Sequence, residues 1–597
     1  VPVTPFPHPK SLSVSTGVGP AAGSPVRVVL DASVPAQGFS LETSGDGITL
    51  THSDAAGLRY GLGTLDQLRA DRDFVTTSYS ITDHPDFPVR GFMLDISRDR
   101  VPTRRTLARW VEVLDLARIN SLELYTEHTY AFTGQQSVWQ DASPLTADDL
   151  QWLDALCASK GIELVCNQNT LGHMERFLKV PEHAKRAENE DGFTMRGKHR
   201  PPSTVEPTSE NAAFVLELLA DVVPNFRTKR INIGADEPWE LGQGKSAQRA
   251  EEVGLGTVYF EYVTEIMQPW LDRGYTVEFW ADVFGDHPEL MDKVPAGAIP
   301  VVWQYDSPRL LAEVVDSAAP DQVQEWRSLG VDVTKLRDGF RDRAKLLLDA
   351  GVPFWVAPGA SNWNSLLGRW ENALGNMVDA AEVGLQNSAQ GYLNTSWGDH
   401  GHWDPPSVAF GPVLFGGAVS WSLETNRDLD VAAVLDERLL MDPTGLTGDV
   451  LVRAGKVCHV LGTPVLNASP LVLALREPDD LAPWAVPTAE ALTAAQEVLT
   501  DCLRDLRTAE PASADGDVVL RELAQALRLS EFAVRVLQAR GSDGSFDPSA
   551  AARLRPELDD LLEEQRACWL LRSRPGGLSD SLAEFGPLRH ALLRAVS

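Results

Sequence analysis

Cysteine is scarce in this chain. Its 597 residues include five, Cys157, Cys166, Cys458, Cys502 and Cys568, scattered and without a CxxC pair. An odd, dispersed set does not make a disulfide framework or a structural zinc site. It reads as reduced, mostly buried thiols in a cytosolic protein. The chain begins at Val1 without Met, which leaves a removed leader, and with it secretion, open. No apolar run approaches membrane-spanning length, and no charged-then-apolar signal stands at the N-terminus. Positive charge is also short, with 53 Lys and Arg against 84 Asp and Glu and a formal net charge of −31. Phosphate binding needs basic patches, which argues against nucleic acid and anionic membrane as partners. Gly-rich phosphate loops with a following Lys are not evident.

What is present is ordinary globular composition, 43 % hydrophobic and 23 % charged. The length is too great for one core and implies two to four domains. Residues 1–86 read as a small α+β domain. "VRVVLDA" and "ITLTHSD" have strand-like alternation, and "AAGLRYGLGTLDQLRA" places Leu58, Leu62, Leu65 and Leu68 at helical spacing. "DHPDFPVRG" supplies a boundary. Between 87 and 425, strand-like runs alternate with amphipathic stretches. The strand candidates are 89–97, 121–126, 162–169, 230–237, 276–282, 299–306, 353–359 and 391–399. Helical patterns cover 104–118, 146–159, 209–222, 258–273, 338–350 and 371–384. Eight buried strands with helices between them predict parallel pairing and a (β/α)8 TIM barrel, with a doubly wound sheet as the runner-up. Residues 306–335 have no place in that scheme. From 426 to 597 the strand signal fades, and Leu520, Leu523, Leu527, Val534 and Leu537 mark a helical domain.

Active sites of such barrels lie at the C-terminal strand ends. Those ends carry Arg90 and Asp95; Glu127 and His128; Asn167, Asn169 and His173; Asp236 and Glu237; Trp280 and Asp282; Trp303, Tyr305 and Asp306; Asn362 and Trp363; and Trp397 and Asp399. Aromatic platforms, carboxylates and an Arg suit a sugar, whose ring faces stack on Trp and whose hydroxyls bond to ionised groups. Blander readings stand beside this one. A single Trp is as readily core as platform. Asp95 serves equally to anchor a loop or pair with Arg98, His173 as a structural histidine, and Asp282 as a helix cap. The adjacent acids Asp236 and Glu237 are harder to dismiss, since burying both beside Ile233 and Trp239 is costly.

Taken together, these segments resemble glycoside hydrolase family 20, the β-N-acetylhexosaminidases, over roughly residues 25–425. "VRGFMLDISRDRVP" is similar to the family's first barrel strand, "RINSLELYTEH" to the second, "IELVCNQNTLGHMERF" to the third and "INIGADE" to the His-x-Gly-Gly-Asp-Glu signature. "VEFWADVF", "VVWQ" and "SWGDHGHW" are similar to three Trp-bearing strands. The signature His is Asn232 here and its second Gly is Ala235. The Tyr that the family places after strand seven is missing from "APGASNWNS", with Tyr305 or Tyr392 as substitutes.

The resemblance implies a retaining exo-enzyme acting on terminal β-linked N-acetylglucosamine or N-acetylgalactosamine, without metal or cofactor. It makes Glu237 the general acid/base and Asp236 the carboxylate that orients the acetamide. Trp280, Trp303, Tyr305, Trp363 and Trp397 would wall the sugar. Arg90 and Asp399 would hold its hydroxyls, and Glu127 and His173 would tune the acid. Two other readings remain open. One is a metal-dependent barrel isomerase or hydrolase using Asp95, Glu127, Asp236, Glu237 and Asp282. The other is a catalytically silent amino-sugar-binding protein. The helical tail offers extra packing area or a homodimer contact.

Overall fold

The computed structural model describes residues 4–195, 197–283, 287–320, 323–324, 336–481, 485–541 and 544–597. Of the 306–335 stretch, residues 321–322 and 325–335 fall outside the described residues.

The first layer is a five-stranded sheet built from β1 (Ser11–Thr16), β2 (Val26–Leu30), β3 (Phe39–Ser44), β4 (Gly47–His52) and β5 (Thr77–Asp83), in the order β1-β5-β3-β4-β2. Alternation along β3 buries Phe39, Leu41 and Thr43 and turns Glu42 outward. The helix Ala55–Arg69 covers the buried face, started by the Asp54 carboxylate, which accepts from the Gly57 N–H at 2.8 Å. The expected leucine stripe is rotated: Leu65 and Leu68 are buried, but Leu62 faces solvent, and Tyr60 and Thr64 take the inner positions.

The barrel strands are β6 (Val89–Asp95), β7 (Ser121–Thr126), β8 (Glu163–Gln168), β11 (Arg230–Asn232), β12 (Thr276–Trp280), β13 (Ala298–Trp303), β14 (Trp355–Ala357) and β15 (Gly391–Ser396). They close in the order β11-β12-β13-β14-β15-β6-β7-β8, all parallel, which sets aside the doubly wound alternative. A small hairpin, β9 (Phe193–Met195) with β10 (Lys198–Arg200), rises from the loop after β8. Helices Arg104–Leu116, Ala147–Ser159, Ser209–Val222, Leu255–Leu271, Phe340–Ala350, Trp370–Gln386 and Pro406–Trp421 surround the barrel. Between β12 and β13 the described residues include a short 3-10 turn, Pro288–Lys293. Strands such as β7 and β15 are buried at every position, because helices cover one face and the barrel interior the other.

The interior is polar near mid-height and aromatic above. Glu123, Asn167, Asn232, Arg230 and Glu278 interact in the interior. Burial pushes both Glu123 and Glu278 upward, and each carboxyl sits against the other. Above them pack Tyr125, Trp280, Tyr305, Trp363 and Trp397, while Trp355, the first residue of β14, lies beside Arg230.

After the barrel come Pro470–Arg476, Ala489–Leu506, Gly516–Gln538, Pro548–Arg572 and Gly586–Val596, among other shorter helices. Leu523, Leu527, Val534 and Leu537 are buried as their spacing predicts, and Leu520 is half-buried. These helices brace the barrel rim. Phe585 stacks on Trp403 at 3.8 Å, and Arg476 donates to Asn364 at 3.1 Å in the loop after β14.

The N-terminal sheet docks under the barrel through buried ionic contacts. Arg118 pairs with Asp83 at 2.7 Å, and the Trp421 indole donates to the same carboxylate at 3.0 Å. Removing one member of a buried pair strands the other. Arg118→Met is therefore expected to destabilise the fold by about 3–5 kcal/mol, read as a lower urea midpoint.

Candidate active site

Strand β11 stops at Asn232, well short of the 230–237 run expected from the sequence. Beyond it, Gly234 (φ 64), Ala235 (φ 64) and Glu237 (φ 44) all lie in the left-handed region. For residues with a Cβ this conformation costs about 1–2 kcal/mol each. Side chains from three other positions hold the segment. The Gly234 N–H donates to Asn232 Oδ1 at 2.9 Å, the Ala235 N–H to Asn169 Oδ1 at 3.1 Å and the Glu237 N–H to Asp282 Oδ2 at 2.9 Å. Gly172 presses against the turn so closely that a Cβ there would lie 2.2 Å from the Asp236 carbonyl oxygen.

The broken alternation brings the two neighbouring acids to one point. Asp236 Oδ2 lies 3.5 Å and Glu237 Oε2 3.4 Å from His173 Nε2. Their exposures differ: the Asp236 side chain is 8 % exposed and that of Glu237 31 %. Asp236 also accepts from Asn169 Nδ2 at 2.7 Å. Burial alone would raise the Asp236 pKa, but His173, Asn169 and Arg98 together hold it below the usual carboxylate range. Burial likewise opposes protonation of His173, yet the Asp236 charge wins and holds the imidazole well above its ordinary value.

Arg98 is the hub. It contacts Asp95 at 3.1 Å, Glu127 at 3.2 Å and His173 Nδ1 at 3.4 Å. Its guanidinium lies over the rings of Tyr125 and Trp397, at 4.6 and 4.8 Å. Asp95 is further tied by the Ser97 and Gly398 N–H groups, so its anchoring role is the observed one. Glu127 accepts from the Tyr125 hydroxyl at 3.0 Å. Burial pushes both Glu127 and Asp399 upward, and Arg98 opposes it in each case. Tyr305 stacks on Trp303 at 5.1 Å, and its phenol, raised first by burial, also feels the charges of Asp236 and Glu237.

Several expectations are corrected. Arg90 is fully buried at the opposite end of β6, where it donates to Tyr60 Oη and to the Arg118 and Phe87 carbonyls. It ties the N-terminal sheet to the barrel and cannot reach a sugar. Tyr392 pairs in register with Arg90 and donates to the Met377 carbonyl, which removes it as a pocket tyrosine. Trp280 and Trp363 are fully enclosed and offer no open ring face. They back Trp397, 5.8 Å from Trp280, and Tyr305, 5.2 Å from Trp363. Trp239 is 49 % exposed, so it does not bury the acids. Asp306 pairs with Arg369 at 2.7 Å. His128 is buried and pushed down to about 3 by burial and nearby cations. Asp282 bonds the Glu237 main chain, a contact the helix-cap reading did not foresee.

Arg98 was missed as the pocket cation. The available signal was its position, three residues past the strand top. The carboxylates of the metal reading each have their own partners. Among the described residues no group of three His, Cys, Asp or Glu side chains is placed to hold an ion.

Two outcomes follow from this geometry. In Asp236→Asn, loss of the carboxylate charge should let the His173 pKa fall toward its ordinary value, followed by ¹³C NMR of labelled histidine. Arg98→Met should raise the His173 pKa further, because the guanidinium opposes protonation of the imidazole, while Arg90→Met should lower the urea midpoint and leave the His173 titration unchanged.

Residues 87–320 match the model of the glycosyl hydrolase family 20 catalytic domain. Beta-hexosaminidase subunit alpha of Rattus norvegicus is 25 % identical over 305 residues, 46 % of this chain and 54 % of that protein. Beta-hexosaminidase subunit A1 of Dictyostelium discoideum is 22 % identical over 214 residues, 34 % of this chain and 39 % of the relative. The chain thus spans only about 39–54 % of these curated relatives. Among solved structures, the exo-β-N-acetylglucosaminidase of Vibrio harveyi in complex with N-acetylglucosamine superposes with a TM-score of 0.54. The identity is 14 %, over 76 % of this chain and 79 % of that one. A second, titled a β-N-acetylhexosaminidase, gives a TM-score of 0.53 at 16 % identity over 73 % and 95 %. At such identity these two speak for the fold. The family match runs across the first six barrel strands and the Asp236–Glu237 turn, so this part of the barrel is similar to the glycosyl hydrolase family 20 catalytic domain.

Proposed function

We infer that the chain is a retaining exo-β-N-acetylhexosaminidase that removes terminal β-linked N-acetylhexosamine by substrate-assisted catalysis. The observation that carries this reading is the convergence of Asp236 and Glu237 on His173 from adjacent positions. Two ordinary glycosidase carboxylates flank the scissile bond from separate places, and one of them attacks the sugar. Neighbours in one turn suit a different division of labour, in which the substrate's own acetamide oxygen is the nucleophile.

The more exposed acid, Glu237, gives its proton to the leaving oxygen as the bond from C1 breaks. The acetamide oxygen closes on C1 and forms an oxazolinium ion. The ionised, more enclosed Asp236 orients the acetamide N–H and balances the positive charge that develops there, as preorganised charge in a closed site does. Glu237 then takes a proton from water as the water attacks C1, and the β configuration is restored. Arg98, with Asp399 near it, stands where sugar hydroxyls need ionic partners. Trp303, Tyr305 and Trp397 supply the aromatic wall. Tyr305, beside both acids, is the candidate donor to the acetamide carbonyl. All five thiols are unpaired, in keeping with a cytoplasmic setting.

The test is a panel of nitrophenyl β-glycosides with and without the acetamide, alongside a thiazoline mimic of the oxazolinium ion. Turnover should require the acetamide, and the thiazoline should compete. Glu237→Gln should cut kcat/KM by about 10³-fold, within the range of general acid–base loss. Asp236→Asn should hurt acetamido substrates selectively. Binding of amino sugars without turnover, or equal turnover of plain glucosides, would sink the reading.

A further inference from the structure

A third acid stands behind the catalytic turn. Asp282 follows β12 directly, two residues past Trp280. Its Oδ2 accepts the Glu237 N–H at 2.9 Å. Its Oδ1 is closed off from solvent and has no hydrogen-bond partner among the described residues. The groups facing it are Asp236 and Glu237 from the turn and Tyr259 from the helix Leu255–Leu271. The Tyr259 hydroxyl is likewise buried and unpartnered among the described residues.

Glu237 needs such an anchor more than Asp236 does. The Asp236 carboxylate is held directly by Asn169 and His173. The Glu237 side chain is more open, and its aim depends on a main chain at φ 44. A left-handed residue with a Cβ persists only where its surroundings over-determine it. Here the Asp282 bond meets the strained residue itself.

Building on the function proposed above, we propose that Asp282 is a positioning residue for the general acid, holding the Glu237 main chain in the conformation that aims its carboxyl at the leaving oxygen. Burial first, and the Asp236 charge second, push Asp282 up to about 7. Near neutrality it is therefore partly protonated, and a neutral carbonyl oxygen still accepts the N–H. An amide side chain reproduces that acceptor without the charge.

Acid assistance matters most when the leaving group is poor. The experiment compares an alkyl β-N-acetylglucosaminide with the 2,4-dinitrophenyl glycoside, which departs with little help. Asp282→Ala should lose about 100-fold in kcat on the alkyl substrate, the size expected of a small misplacement, and less than about 5-fold on the dinitrophenyl one. Asp282→Asn should stay within about 5-fold of wild type on both. If Asp282→Ala fails to fold, Asp282→Ser, too short to reach the N–H, carries the same comparison. Equal losses on the two leaving groups would reduce Asp282 to a structural residue, and no loss would remove it from the mechanism; either result overturns the proposal and leaves the functional reading intact. A wild-type chain inert toward both glycosides overturns that reading and this proposal together.

Discussion

Everything at the top of this barrel depends on four residues that refuse to be a strand. From Gly234 to Glu237 the chain turns left-handed three times, and the cost is offset by side-chain acceptors reaching in from Asn169, Asn232 and Asp282. Without those bonds, adjacent side chains would point to opposite faces and the two acids would be separated. With them, Asp236 and Glu237 share one histidine. The barrel contributes rigid strand ends, and the loops contribute the acceptors.

The second constraint is charge. Asp95, Glu127, Asp236, Glu237, Asp282 and Asp399 crowd a small volume, and two cationic groups, Arg98 and His173, stand among them. Distribution decides the outcome. Asp236, beside His173 and Asn169, stays ionised, whereas Glu127, Asp282 and Asp399 are pushed upward by burial. Carboxylates of one chemical type thereby acquire different working states, as environment allows.

The flanking parts hold this arrangement from both ends. Below, Arg90 and Arg118 fasten the N-terminal sheet to the barrel floor. Above, the C-terminal helices grip the rim, through Arg476 on Asn364 and Phe585 on Trp403. The helical tail thus has a mechanical task within a single chain.

The eight strands and most of their helices could be read from the sequence, because strand burial and helical amphipathicity are local patterns repeated along the chain. The order of the site segments was legible for the same reason. Depth was not. Arg90 and Arg98 both flank β6, and residue type cannot say which one lies at the top; strand length and register placed Arg90 at the floor and Arg98 over Tyr125. Trp280 and Trp363 had the right residue type at the right strand ends, yet packing enclosed them completely, whereas Trp303, Tyr305 and Trp397 keep some exposed surface. The Asp282 contact with Glu237 joins two strands 45 residues apart, a pairing no local spacing encodes. The amino-acid sequence by itself determined which groups were available and in what order along the chain. Tertiary structure alone decided which of them meet, because strand ends far apart in sequence become neighbours only when the barrel closes.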